Sequence, residues 1–171
     1  MKPWQFELEE YIREGEPSQI SKANAWQTAI GLQDVDRLQV SDYLIDTAKK
    51  NIAGEIDAPA ARQRIESYYQ ERHERGIYES ETEEADIVAQ RASELLMDTG
   101  FQFSPATLLA IHRHLFESIF NDAGEIRQYN ISKKEWVLKG EMFNTLLVLL
   151  FGTVSNMILS WRKISPTTMF Q

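Results

Sequence analysis

Residues 107–138 read TLLAIHRHLFESIFNDAGEIRQYNISKKEWVL. In the first half, Leu108, Ile111, His112, Leu115, Phe116 and Ile119 recur at intervals of one to four residues. That is the period of a helix with one apolar stripe. Ser104-Pro105 opens it, since a serine oxygen accepts a first-turn N–H and proline has none to satisfy. Phe103 is placed to staple onto Leu108, and Gly124 lies beyond the helix end. After Arg127 the period changes. Tyr129 and Ile131 alternate with polar neighbours, Ser132-Lys133-Lys134 is polar, and Trp136-Val137-Leu138 is strand-like. This is the pattern of a short hairpin.

Upstream, the chain reads as helices. Ser18 is the expected cap of the first, with Ile20, Ala23, Gln27 and Ile30 inside it and Gly31 at its end. Ser41 caps the next, which holds Tyr43, Leu44, Thr47, Ala48 and Ile52 and stops at Gly54. Asp57 caps a third, with Pro59 in its first turn and Ala61, Ile65, Tyr68 and Tyr69 following. Ser80-Glu81-Thr82-Glu83 has the capping-box spacing, ahead of Ala85, Val88, Ala92, Leu95 and Leu96. The expected fold class is therefore all-α, mainly helical, with one short β-hairpin.

Composition bounds the function. The 171 residues are 43% hydrophobic, enough for a core, and hold no cysteine. A disulfide framework, a thiolate metal site and a cysteine nucleophile are excluded. The net charge of −8 argues against a general nucleic-acid binder, because such affinity comes largely from neutralising phosphates. The opening MKPWQFELEE has no apolar signal core, so a cytoplasmic protein is expected. All 26 acidic residues lie within residues 1–141, and Arg162 and Lys163 are the only charges after that point. Residues 142–160 carry 12 strongly apolar side chains in 19. Asn144 and Asn156 make this stretch a poor membrane span.

Generic catalytic motifs are absent. Neither GxxxxGK[ST] nor GxGxxG occurs, so both common phosphate cradles are missing. The three histidines are His73, His112 and His114. His112 and His114, two apart on a helix, point to different sides and cannot share a metal. The run Glu79–Glu84 suits a solvated helix N-terminus. Trp26, Tyr68 and Tyr69 read as core anchors, since no basic stripe accompanies them. No metal-binding and no catalytic residue is expected.

The 107–138 segment resembles the opening half of the Fic (Fido) domain. The residues that carry the resemblance are Ile111, His112, Leu115, Phe116, Ile119, Phe120, Ala123, Gly124, Arg127, Asn130, Ile131, Ser132 and Lys133. Asn121-Asp122 stands where the family commonly has an aromatic residue before Ala-Gly. The N-terminal part, Asn24–Gln33, Tyr43–Ile45, Gly54–Ile56 and Arg64–Tyr69, resembles the VbhA-type antitoxin module, which occurs alone or fused ahead of a Fic domain.

The resemblance implies three segments. Residues 1–75 are an antitoxin-like helical module, and residues 76–141 are the first part of a Fic domain. Residues 142–171 are a tail foreign to the family and expected to be out of frame: with a suitable choice of synonymous codons, a one-base shift can be read through it without a stop and restores charged residues. It implies a partial Fic fold, with His112, Leu115, Phe116, Gly124 and Arg127 as motif residues. The hairpin would be the flap that aligns a target segment, through Asn130, Ile131, Ser132, Lys133, Trp136 and Val137. Fic enzymes transfer AMP from ATP, with Mg²⁺, to a protein hydroxyl. They use a later HxFx[D/E]GN[G/K/T]R loop that this sequence lacks, and no histidine follows His114. The expectation is a truncated protein without activity or cofactor of its own, whose partner is a Fic-type toxin or an adenylylation target. The alternative is a stand-alone antitoxin-like inhibitor or adaptor. In the antitoxin pattern [S/T]xxxE[G/N], Thr28 takes the first position, but Leu32 and Gln33 stand where Glu and Gly/Asn are expected. Leucine fills space and cannot pair with a guanidinium.

Overall fold

In the computed structural model, residues 3–98, 100, 102, 104–126, 131–134 and 142–145 are described. The architecture is mainly helical: α1 (Pro3–Glu14), α2 (Pro17–Val35), α3 (Asp42–Ala53), α4 (Ala58–Glu74), α5 (Ser80–Met97) and α6 (Pro105–Phe116). Two short strands, β1 (Ile131–Lys134) and β2 (Met142–Thr145), pair antiparallel, with Ile131 opposite Thr145 and Lys134 opposite Met142. The anticipated second arm, Trp136–Leu138, lies outside the described residues. The chain divides into two compact units, residues 1–102 with 114–123, and residues 103–113 with 124–171.

Local chemistry sets most helix ends. Ser41 Oγ accepts the Leu44 N–H at 3.1 Å, and Asp57 Oδ1 accepts that of Ala60 at 2.8 Å. Both satisfy first-turn donors that have no partner inside the helix. Gly54, at φ 81°, ends α3 in the left-handed conformation that glycine adopts without steric cost. Ser104 Oγ accepts the Thr107 N–H at 3.0 Å.

Five expectations are corrected. A helix precedes Pro17: in α1, Trp4 and Leu8 are buried and Tyr11 and Ile12 half-buried, one stripe within a glutamate-rich sequence. The cap of α2 is Glu16, paired reciprocally with Gln19, because Pro17 already takes the first helical position. Gly31 does not end α2, which runs to Val35. It closes through Arg37 N–H to Asp34 O and Leu38 N–H to Gln33 O, with Arg37 at φ 63°. The Ser80–Glu83 box does not form; Glu79 is the cap residue and makes no side-chain cap bond, because Glu83 turns to His73 Nε2 at 2.8 Å. Helix α6 stops at Phe116, short of Ile119, with Ser118 at φ 71°.

The core of the first unit gathers Leu8, Trp26, Ile30, Leu44, Ile52, Ile65 and Tyr69 with Ala89 and Ala92. Burying each large apolar side chain contributes roughly 1.5–3 kcal/mol. Helix α5 is part of this core and packs most extensively on α2. Trp26 is fixed by polar bonds as well. Its Nε1–H donates to Asn51 Oδ1 at 3.0 Å, and Asn51 Nδ2 donates to Ile56 O, which ties down the turn after α3. Among the described residues no helix is long and apolar enough to cross a membrane.

Candidate functional site

Helix α2 has an inner and an outer face. The inner face, with Ala25, Trp26, Ala29 and Ile30, is buried. The outer face carries Thr28 and Leu32, four residues apart and therefore one above the other. Both are exposed, Leu32 at 52%, and Val35 extends the line at 72%. In the first turns of α5, burial first and then the charges of Asp36 and Glu81 raise the pKa of Glu84.

The residues of the 107–138 segment fall into separate groups. In the second unit, His112 Nδ1 accepts the Gly124 N–H at 2.8 Å. That bond leaves the ring proton on Nε2. Gly124 sits at φ 80°, and a Cβ built there would lie 2.6 Å from Arg113 Cβ and 3.1 Å from Leu109 O. Both facts require glycine. In the first unit, Leu115 packs half-buried against the core, and Phe116 stacks on Phe120 with centroids 5.2 Å apart. Ile131, Ser132 and Lys133 form β1. Arg127, Asn130, Trp136 and Val137 lie outside the described residues.

The remaining histidines have carboxylate partners: His73 with Glu83, and His114 with Glu94 at 3.8 Å. Among the described residues no group of three His, Asp or Glu side chains could hold a metal ion. A shallow cavity of about 450 Å³ lies against α1, lined by Glu7, Glu10, Tyr11, Glu14, Gln19 and Lys49.

Two arrangements escaped the sequence reading. The first is a buried carboxylate. Asp86 of α5 is fully buried and accepts the Ser41 N–H at 2.8 Å, the Ser41 hydroxyl at 2.5 Å and the Tyr69 hydroxyl at 2.7 Å. It thus joins α5 to the start of α3 and to α4. Burial raises the Asp86 pKa, and the bonds from Ser41 and Tyr69 oppose it without cancelling it. Burial, then hydrogen bonding to Asp86, pushes the Tyr69 phenol well above its usual range. The second is Arg91, whose Nη1 donates to the carbonyls of Leu115 at 3.1 Å and Glu117 at 2.6 Å, closing the end of α6. Burial, then the neighbouring Arg62, lowers its pKa.

Comparison with protein-family models, curated proteins and solved structures finds no match to this chain.

Proposed function

We propose that this chain is a cytoplasmic Fic-type protein. It would carry an antitoxin-like helical module and the opening part of a Fic-type domain, and have no AMP-transfer activity of its own. The observation that carries the reading is the closure of His112 onto Gly124. A helical histidine caps the backbone of a glycine twelve residues on, at a place where a Cβ would collide with Arg113. This gives the His112 and Ala123-Gly124 elements of the motif a shared structural reason, which an accidental helix and loop would not need. The β1–β2 pairing supports a flap in which Ile131, Ser132 and Lys133 offer backbone to an added target strand. The lack of activity rests on the sequence. A general base, a metal-binding carboxylate and a phosphate cradle are all needed for the transfer, and the loop that supplies them is not in these residues. The test incubates the full chain with labelled ATP, Mg²⁺ and a lysate. No label above an enzyme-free control is expected; labelled protein overturns the reading.

A second reading, a stand-alone antitoxin-like inhibitor, is supported by the exposure of Thr28 and Leu32 on one face of α2. That face is available to a partner without disturbing the core. The full chain, titrated into a label-transfer reaction of a Fic-type enzyme, is expected to inhibit weakly or not at all, because Leu32 offers no carboxylate. Strong inhibition that Thr28→Ala abolishes would show that the motif has been misaligned.

A further inference from the structure

Two partners compete for Glu83. The spacing of Ser80 and Glu83 is that of a capping box, in which the Glu83 carboxylate accepts the Ser80 N–H and the Ser80 hydroxyl accepts the Glu83 N–H. In the fold, the Glu83 carboxylate instead meets His73 Nε2 at 2.8 Å, and the Glu83 N–H donates to Glu79 O at 2.8 Å. Helix α5 thereby starts at Ser80, behind a cap residue that makes no side-chain cap bond. The Ser80 N–H, at the first helical position, has no acceptor inside the helix. The two arrangements exclude each other. An N-cap residue is extended and a first-turn residue is helical, so Ser80 takes one role or the other.

The charge on His73 decides between them. Around its ring stand Glu83 from α5 and Tyr78 from the connector, which stacks on it with centroids 5.0 Å apart. Its charged chain neighbours are Arg72, Glu74 and Arg75, and Arg72 is itself paired with Glu79 at 2.6 Å. A bond from an imidazolium to a carboxylate is charge-assisted and roughly twice as strong as a neutral one. Histidine changes charge between about pH 5 and about pH 8. We infer that Glu83 is a pH-dependent latch. It holds the end of α4 to the start of α5 through protonated His73, and when the ring loses its proton it turns to the Ser80 N–H and closes the capping box. Opening the latch moves the start of α5 from Ser80 to Glu81 and takes the carboxylate off the ring on which Tyr78 stacks. The latch does not depend on the Fic-type reading.

NMR of the isotope-labelled full chain from about pH 5 to about pH 8 tests it. The His73 ring carbons report protonation, and the Ser80 Cα and Cβ shifts tell a helical residue from an extended one. The ratio of capped to latched Ser80 is expected to rise about fivefold or more, the difference between a charge-assisted and a neutral bond. The rise should share its midpoint with the His73 ring, while Ala48, inside α3, stays unchanged. Glu81 and Glu84, in the same turns of α5, titrate as well, so a variant that removes only the imidazole separates their effect. His73→Phe keeps a ring against Tyr78 but has no donor; its Ser80 should be extended at every pH. Glu83→Gln can still close the box and carries no charge, so its Ser80 should also be extended and insensitive to pH. Ser80 shifts that stay helical while the His73 ring titrates, or an equal pH response in His73→Phe, overturn the proposal.

Discussion

Replacing Asp86 tests the energetics of the first unit most directly. In Asp86→Ala the Tyr69 hydroxyl loses its partner in a site where Tyr69 is 3% exposed. The Ser41 N–H and hydroxyl lose theirs at the start of α3, where water has partial access. An unpaired buried donor costs about 1–3 kcal/mol. One fully buried and two half-buried donors then give roughly 3–5 kcal/mol, a large share of a typical stability of about 5–15 kcal/mol. Adding Tyr69→Phe removes the worst orphan, so the double variant should lose about 1–2 kcal/mol less than the sum of the singles. The pH dependence follows from the raised pKa of Asp86, whose ordinary value is 3.8. A group with a folded pKa above its unfolded one stabilises the fold fully below the unfolded pKa. That contribution is lost as pH rises through the folded pKa. Urea midpoints of the wild type minus those of Asp86→Asn, measured from about pH 3 to about pH 7, should therefore fall with rising pH. A difference that rises with pH would mean that the three donors outweigh burial, and would refute the reasoning.

Gly124→Ala should destabilise the second unit by about 2–4 kcal/mol, from the left-handed φ and the overlap with Arg113 together; hydrogen exchange at the Gly124 and α6 amides reads it, and unchanged protection would count against the His112 closure. Arg37→Gly should stabilise the chain by about 0.5–1 kcal/mol, because φ 63° strains any side chain; a lower urea midpoint would contradict this. Leu32→Glu, on an exposed position, should leave stability within about 0.5 kcal/mol and raise inhibition of a Fic-type enzyme about tenfold or more by supplying the carboxylate; no change in inhibition would detach Leu32 from that role.

The parts of the fold legible in the sequence are those set within one turn of chain. Ser41, Asp57 and Gly54 end their helices as local hydrogen bonding and sterics require, and Trp26 and Tyr69 sit in the core as anchors. What was not legible depends on distant neighbours. The apolar stripe of α1 is Trp4 and Leu8 set among four glutamates, and only packing on α2 and α3 selects its helix. A glycine at position 31 stays helical because neighbouring residues of α2 are buried, although the local preference is to stop. Asp86 follows Glu81, Glu83 and Glu84 and reads as one more solvated acid; its partner Ser41 lies 45 residues earlier. On the candidate site, the sequence placed Thr28 and Leu32 on one helix, but which face of α2 they occupy emerged only once α5 was seen on the other.

That division of α2 has a consequence for how the chain binds. The inner face packs against α1, α3 and α5, and the outer face, with Thr28, Leu32 and Val35, faces solvent. The two faces share no side chain: Leu32, one turn from Ala29, is exposed where Ala29 is fully buried. Substitutions on them should therefore act independently, as sites without common partners do. Leu32→Glu should leave the cost of Asp86→Ala, read from urea midpoints, unchanged within about 0.5 kcal/mol. If Leu32→Glu instead changed that cost by more than about 1 kcal/mol, α2 would have to shift as a body between two packings. The outer face would then report on the packing of the inner one.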